Sequence, residues 1–90
     1  MKWQGIEVTD YFVSQTLEKH PDVASIPHRI REAVESPIEV EPQGDGRTRR
    51  WVHVPETGHY LKVIVEPDGR TVHNAYRDRG YAREKGRRAT

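Results

Sequence analysis

Apolar residues in this chain recur first at helical spacing and later on alternate positions, and the change of period falls near Pro37. Ile6 and Val8 alternate as a short edge strand, with Trp3 placed to cover the core. Thr9 suits a helix N-cap, and Asp10 is favourable at the positive end of the dipole. Val8 before that cap and Val13 after it match a hydrophobic staple. Phe12, Val13, Thr16 and Leu17 then predict a first helix over Tyr11–Lys19. His20-Pro21 ends it, because the residue before proline is pushed out of the helical region. Ser25 as cap, Pro27 in the first turn and the stripe Ile26, Ile30, Ala33 and Val34 predict a second helix, stopped by Ser36-Pro37.

Beyond Pro37 the pattern is that of a meander. Pro37 and Pro42 bracket a short strand at Ile38–Glu41, which belongs at an edge. Gln43-Gly44-Asp45-Gly46 is a turn, and Arg47–Val54 alternates. Thr48, Arg50, Val52 and Val54 share one face of that strand, with Arg49, Trp51 and His53 on the other. After Pro55-Glu56-Thr57-Gly58, the strand His59–Glu66 sets Leu61, Val63 and Val65 against Tyr60, Lys62 and Ile64. Glu66-Pro67-Asp68-Gly69 has the residues of a tight turn, and Thr71–Arg77 completes a hairpin with His73 and Asn74 on opposite faces. The predicted architecture is α+β: two N-terminal helices packed on an antiparallel sheet of about four strands, one domain over residues 1–80, with a basic C-terminal tail at 81–90.

Composition narrows this further. Ninety residues with 33% hydrophobic and 32% charged content make a thin core. A domain of this size buries only roughly 60% of its unfolded surface. Cysteine is absent, which excludes a disulfide framework and a thiolate zinc site. His53 and His59 at strand ends are too few for a metal site, and neither metal nor other cofactor is expected. No apolar run approaches the roughly 20 residues of a membrane span. Met1–Gly5 lacks a signal-peptide apolar region, so no membrane partner and a cytoplasmic location are expected.

The net charge is +1, but it is unevenly spread. Residues 1–45 hold four Lys and Arg against nine acids, and residues 46–90 hold eleven against five, so a net −5 precedes a net +6. Such asymmetry predicts a basic working face for an anionic partner and an acidic supporting one.

The order of elements resembles the small RelE-like, barnase-related ribonuclease superfamily, in its phage- and toxin-associated branches. The residues that carry the likeness are His20-Pro21, the run Ile30-x-x-Ala33-Val34-x-x-Pro37, and Val72-His73-Asn74-Ala75-Tyr76, within residues 6–80. The resemblance implies a metal-independent endoribonuclease, or an inactive relative, paired with an acidic antitoxin or immunity protein. It implies RNA as partner, including ribosome-bound mRNA or tRNA. Asn74 departs from the Thr or Ser that many relatives have at this point.

Metal-free RNA cleavage uses the 2′-hydroxyl as nucleophile and needs proton transfer and cations that stabilise the extra phosphate charge. Histidine suits the proton roles, and arginine grips phosphate oxygens in pairs. The candidate catalytic residues are His20, Arg50, Lys62, His73, Asn74 and Tyr76, with Arg50 and Lys62 holding the phosphate. Arg49, Trp51, Tyr60, Arg77, Arg79 and Tyr81 are the candidate substrate-binding residues, the aromatic ones as stacking surfaces for bases. The nuclease reading requires Arg50, Lys62 and Arg77 to meet. The alternatives are a non-catalytic RNA- or protein-binding module of the same fold, and a structural adaptor of a phage or secretion apparatus.

Overall fold

A computed structural model describes residues 1–81; the expected basic tail, apart from Tyr81, lies outside the described residues. Two short strands, β1 (Lys2–Trp3) and β2 (Ile6–Glu7), form an antiparallel hairpin. Its two-residue turn has Gln4 at φ 52° and Gly5 at φ 78°, the pair of positive angles that a turn matching the strand twist demands. Val8 then bridges to Val72 in parallel, so this N-terminal segment borders the main sheet.

The helical layer differs from two continuous helices. Phe12–Thr16 winds with π pitch and runs into α1 (Leu17–Lys19), then α2 (Pro21–Ala24) and α3 (Pro27–Glu35) follow. Thr9 caps the first segment as expected, its Oγ1 accepting from the Phe12 N–H at 3.1 Å. The staple does not form. Val8 is buried but Val13 faces solvent, because the wider π turn shifts every later residue around the helix axis. Phe12 and Thr16 are the residues turned inward. Ser25 does not cap α3; its hydroxyl donates to the Asp22 carbonyl, and Ile26 precedes Pro27 at the helix start. Ile30 and Ala33 are fully buried, with Ile26 and Val34 packed beside them, as the apolar stripe predicts.

The sheet is antiparallel, in the order β3 (Glu39–Pro42), β4 (Thr48–Val54), β5 (His59–Val65) and β6 (Val72–Arg77). β3 lies at the edge, where Pro42 within it is tolerated. α3 packs on β4 and β5, and the π segment packs on β6. Val52, Val54, Leu61, Val63, Val65, Val72 and Ala75 meet Phe12, Val23 and Ile30 in the core between the layers. The Glu66–Gly69 turn brings Gly69 to φ 78°, and Asp68 accepts hydrogen bonds from Arg70, Thr71 and the Thr71 hydroxyl. A β-bulge opposite Ile64 and Val65 leaves His73 as an extra residue between Val72 and Asn74. Among the described residues no helix is long and apolar enough to cross a membrane.

Candidate functional site

Strand alternation sends Arg49 and Trp51 from β4, Lys62 from β5 and Tyr76 from β6 to the sheet face that points away from the helices. Trp51 pairs with Lys62 and Lys62 with Tyr76, so the three stand in one row across neighbouring strands. The chain turns over this row after β6, and Asp78 and Tyr81 close a concavity of about 550 Å³ that also touches Glu41 and Arg49.

Lys62 is the centre of the site. Its ammonium lies 5.2 Å from the Tyr76 ring centroid, 5.8 Å from the Trp51 ring and 3.5 Å from Asp78 Oδ2. The side chains of Lys62 and Asp78 are only 19% and 17% exposed, so this pair is shielded from water far more than an ordinary surface ion pair. Asp78 is fixed by two further donors, Trp51 Nε1 at 3.0 Å and the Tyr81 N–H at 3.0 Å. Burial pushes the Asp78 carboxyl up, but the Trp51 and Tyr81 hydrogen bonds and the Lys62 charge outweigh it and hold it below its ordinary value.

Two more candidates border this row. His20, where α1 ends, has its ring 6.1 Å from Tyr76. Asn74 Oδ1 accepts from the buried Thr16 hydroxyl at 2.7 Å and from the Ala75 N–H at 2.9 Å, which ties β6 to the π segment. His20, Lys62, Asn74 and Tyr76 therefore belong to one corner of the molecule.

Arg50 does not join them. It lies opposite Val63 on the core-facing side, where Nη1 donates to the Val34 carbonyl at 2.7 Å and Nε to Thr48 Oγ1 at 3.1 Å. The guanidinium thus satisfies a carbonyl in the last turn of α3, where positive charge is favoured. His73 also lies apart: it stacks on Tyr11 at 4.8 Å and its Nδ1 is 3.3 Å from Thr9 Oγ1 and 3.4 Å from Glu66 Oε1. Burial, then the charge of Arg47, lowers its pKa from the ordinary value. Arg77 is opposite Leu61 at the end of the sheet, in a separate cleft with His59. The expected meeting of Arg50, Lys62 and Arg77 is thus corrected, because strand alternation puts Lys62 on one face and the two arginines on the other.

The aromatic residues form a connected strip. Trp51 and Tyr81 stack at 5.0 Å, Tyr81 meets Tyr60 edge-on at 5.1 Å, and Tyr60 meets His53 at 5.1 Å. Trp51 and Tyr81 are each 5% exposed, so much of their ring surface is already used. Tyr60 and Tyr76 are half-buried and His53 is exposed, and these rings keep open surface for a base. The Tyr81 hydroxyl donates to Glu39 at 2.7 Å, and Arg49 pairs with Glu41.

The basic half is more balanced than its composition suggests. Four of its eleven cations, Arg83, Lys85, Arg87 and Arg88, lie outside the described residues. Of the others, Arg47, Arg49, Lys62 and Arg70 have carboxylate partners. Asp78 was missed among the candidates, yet its signal was present: an Asp three residues before Tyr81 is an N-cap pattern, and Asp78 accepts from that N–H. Among the described residues no three His, Asp or Glu side chains gather as metal ligands. Compared with known protein families, curated proteins and solved structures, the chain matches none of them.

Proposed function

We propose that the chain is a metal-independent endoribonuclease of the RelE-like, barnase-related kind, working at the Lys62 corner of the outer sheet face, with Lys62 as its phosphate ligand in place of the Arg50, Lys62 and Arg77 cluster that the strand register separates. The observation that carries this reading is the Lys62 ammonium held among Trp51, Tyr76 and Asp78 in an open concavity, with His20 beside Tyr76. A phosphate oxygen entering there exchanges with Asp78 for the ammonium, which then stabilises the charge that grows on the phosphate. The RNA 2′-oxygen attacks phosphorus as His20 takes its proton. The bond to the 5′-oxygen breaks, and the imidazole returns the proton to that leaving oxygen. The products are a 2′,3′-cyclic phosphate and a 5′-hydroxyl. Asn74, held by Thr16, keeps β6 and the helix end in register and positions His20 against Tyr76. The same resemblance supports a toxin of a toxin–antitoxin or phage system, neutralised by an acidic protein.

A second reading, a non-catalytic RNA- or protein-binding module, is favoured by one observation: Lys62 and Arg49 are both already paired, with Asp78 and Glu41. Cleavage of a labelled single-stranded RNA in excess chelator separates the two. The nuclease yields cyclic-phosphate ends that Lys62→Met and His20→Ala each abolish. Binding without product formation supports the module instead.

A further inference from the structure

Where β6 ends, on the sheet side that faces the helices, a cleft of about 190 Å³ opens between the end of α2 with the α2–α3 connection and the β4–β5 hairpin. Its apolar wall comes from Ile26, Val54 and Leu61, and its rim carries His59 and Arg77. Arg77 stands opposite Leu61 on the neighbouring strand, so the sheet delivers a guanidinium to the mouth of an apolar recess. Arg79 acts on the same place. Burial first, then the charges of Arg77 and Arg79, hold the His59 pKa below its ordinary value, against the opposing charge of Asp22.

These two arginines differ from the rest. Among the described residues Arg29, Arg47, Arg49 and Arg70 pair with carboxylates, and Arg31 and Arg50 donate to backbone carbonyls. Among the same residues no ion pair neutralises Arg77 or Arg79, and both are exposed. An anion is what complements such a pair, and guanidinium groups favour phosphate through paired hydrogen bonds.

We propose that this cleft is a nucleotide subsite that takes one base of a single-stranded RNA against Ile26, Val54 and Leu61 and its phosphate on Arg77 at the rim. The inference rests on the RNA reading above for the polymer to which its ligand belongs. A recess of 190 Å³ is well below the roughly 300–1,000 Å³ of pockets for drug-sized ligands, and so admits one ring system. A base inside a duplex is stacked and paired and does not enter a recess, whereas an unstacked base does. Tyr76 and Arg77 are consecutive residues of β6 on opposite faces, so one RNA backbone passing over the strand end touches both the Lys62 corner and this cleft.

The test titrates the full isotope-labelled chain with adenosine 5′-monophosphate, and separately with adenosine and with inorganic phosphate, followed by NMR. The nucleotide shifts the methyl signals of Ile26, Val54 and Leu61, and binds about tenfold more tightly than either half alone. Arg77→Gln, a change at an exposed side chain, weakens it by about tenfold and leaves the remaining spectrum in place. Equal affinity for nucleotide and phosphate with unmoved methyl signals overturns the subsite. A nucleotide that shifts only Lys62, Trp51 and Tyr76 also overturns it, while leaving the sheet-face reading intact. A nucleotide in the cleft of a protein that cleaves no RNA keeps the subsite and removes the nuclease.

Discussion

Arg50 and Lys62 project from opposite faces of the sheet, Arg50 to the Val34 carbonyl at 2.7 Å and Lys62 to Asp78 at 3.5 Å. One cation serves the end of a helix, and the other sits in an open concavity. Two basic residues on neighbouring strands, indistinguishable by type, thus have different physical consequences.

Asp78 occupies the place a phosphate oxygen would take beside Lys62. Asp78→Asn removes its charge and keeps an oxygen for one of its two donors, since Trp51 Nε1 donates to Oδ2 and the Tyr81 N–H to Oδ1. RNA binding is expected to tighten by about tenfold, with a salt dependence steeper by about one phosphate contact. Filter-binding titrations at several salt concentrations measure both; an unchanged slope counts against Lys62 as a phosphate ligand.

Much of the fold was legible, and the separation of Arg50 from Lys62 was too. Thr48, Arg50, Val52 and Val54 share a face by alternation alone, and the two valines commit it to the core. The long strands, α3 and their turns follow from Pro, Gly and apolar spacing that leave few alternatives. The π pitch of Phe12–Thr16 was not legible, because its wider turn comes from tertiary packing and rotates Val13 outward. The bulge at His73 was hidden for the same reason: one extra residue in a strand of ordinary composition carries no periodic signature. Asp78 has no candidate role in the sequence reading, although its spacing to Tyr81 marks a cap.

Thr16 and Asn74 join the π segment to β6 through a hydrogen bond shielded from water. Thr16→Val keeps the shape and removes the donor, and is expected to cost about 1 kcal/mol. Thermal unfolding should show a melting temperature lower by about 4–8 °C. No change would mean that the hydroxyl contributes nothing to that junction.

Acid should weaken the fold in two stages, and the signs agree. Burial lowers the His73 pKa, and burial with Arg77 and Arg79 lowers that of His59. The unfolded chain therefore takes up those protons first, and stability falls as pH drops through the ordinary histidine value. Glu56, hydrogen-bonded by His28 and Arg29, and Asp68, bonded by Thr71 and Arg70, titrate at about 2. Their contribution is present above the ordinary carboxylate values and is lost as pH falls towards 2. NMR titration of the four groups and denaturant unfolding at stepped pH check this. A stability that rises on acidification from neutrality would refute it.

The central claim is that the outer sheet face, with Lys62, meets RNA while Arg50 on the inner face holds the fold. RNA affinity and melting temperature, measured side by side for Arg50→Ala and Lys62→Met, test it most directly. The account predicts that Arg50→Ala lowers stability by about 2 kcal/mol, or about 10 °C, with RNA affinity retained. Lys62→Met is predicted to weaken RNA binding by about tenfold with a smaller change in melting temperature. RNA binding lost with Arg50→Ala in still-folded protein, and kept with Lys62→Met, would contradict it.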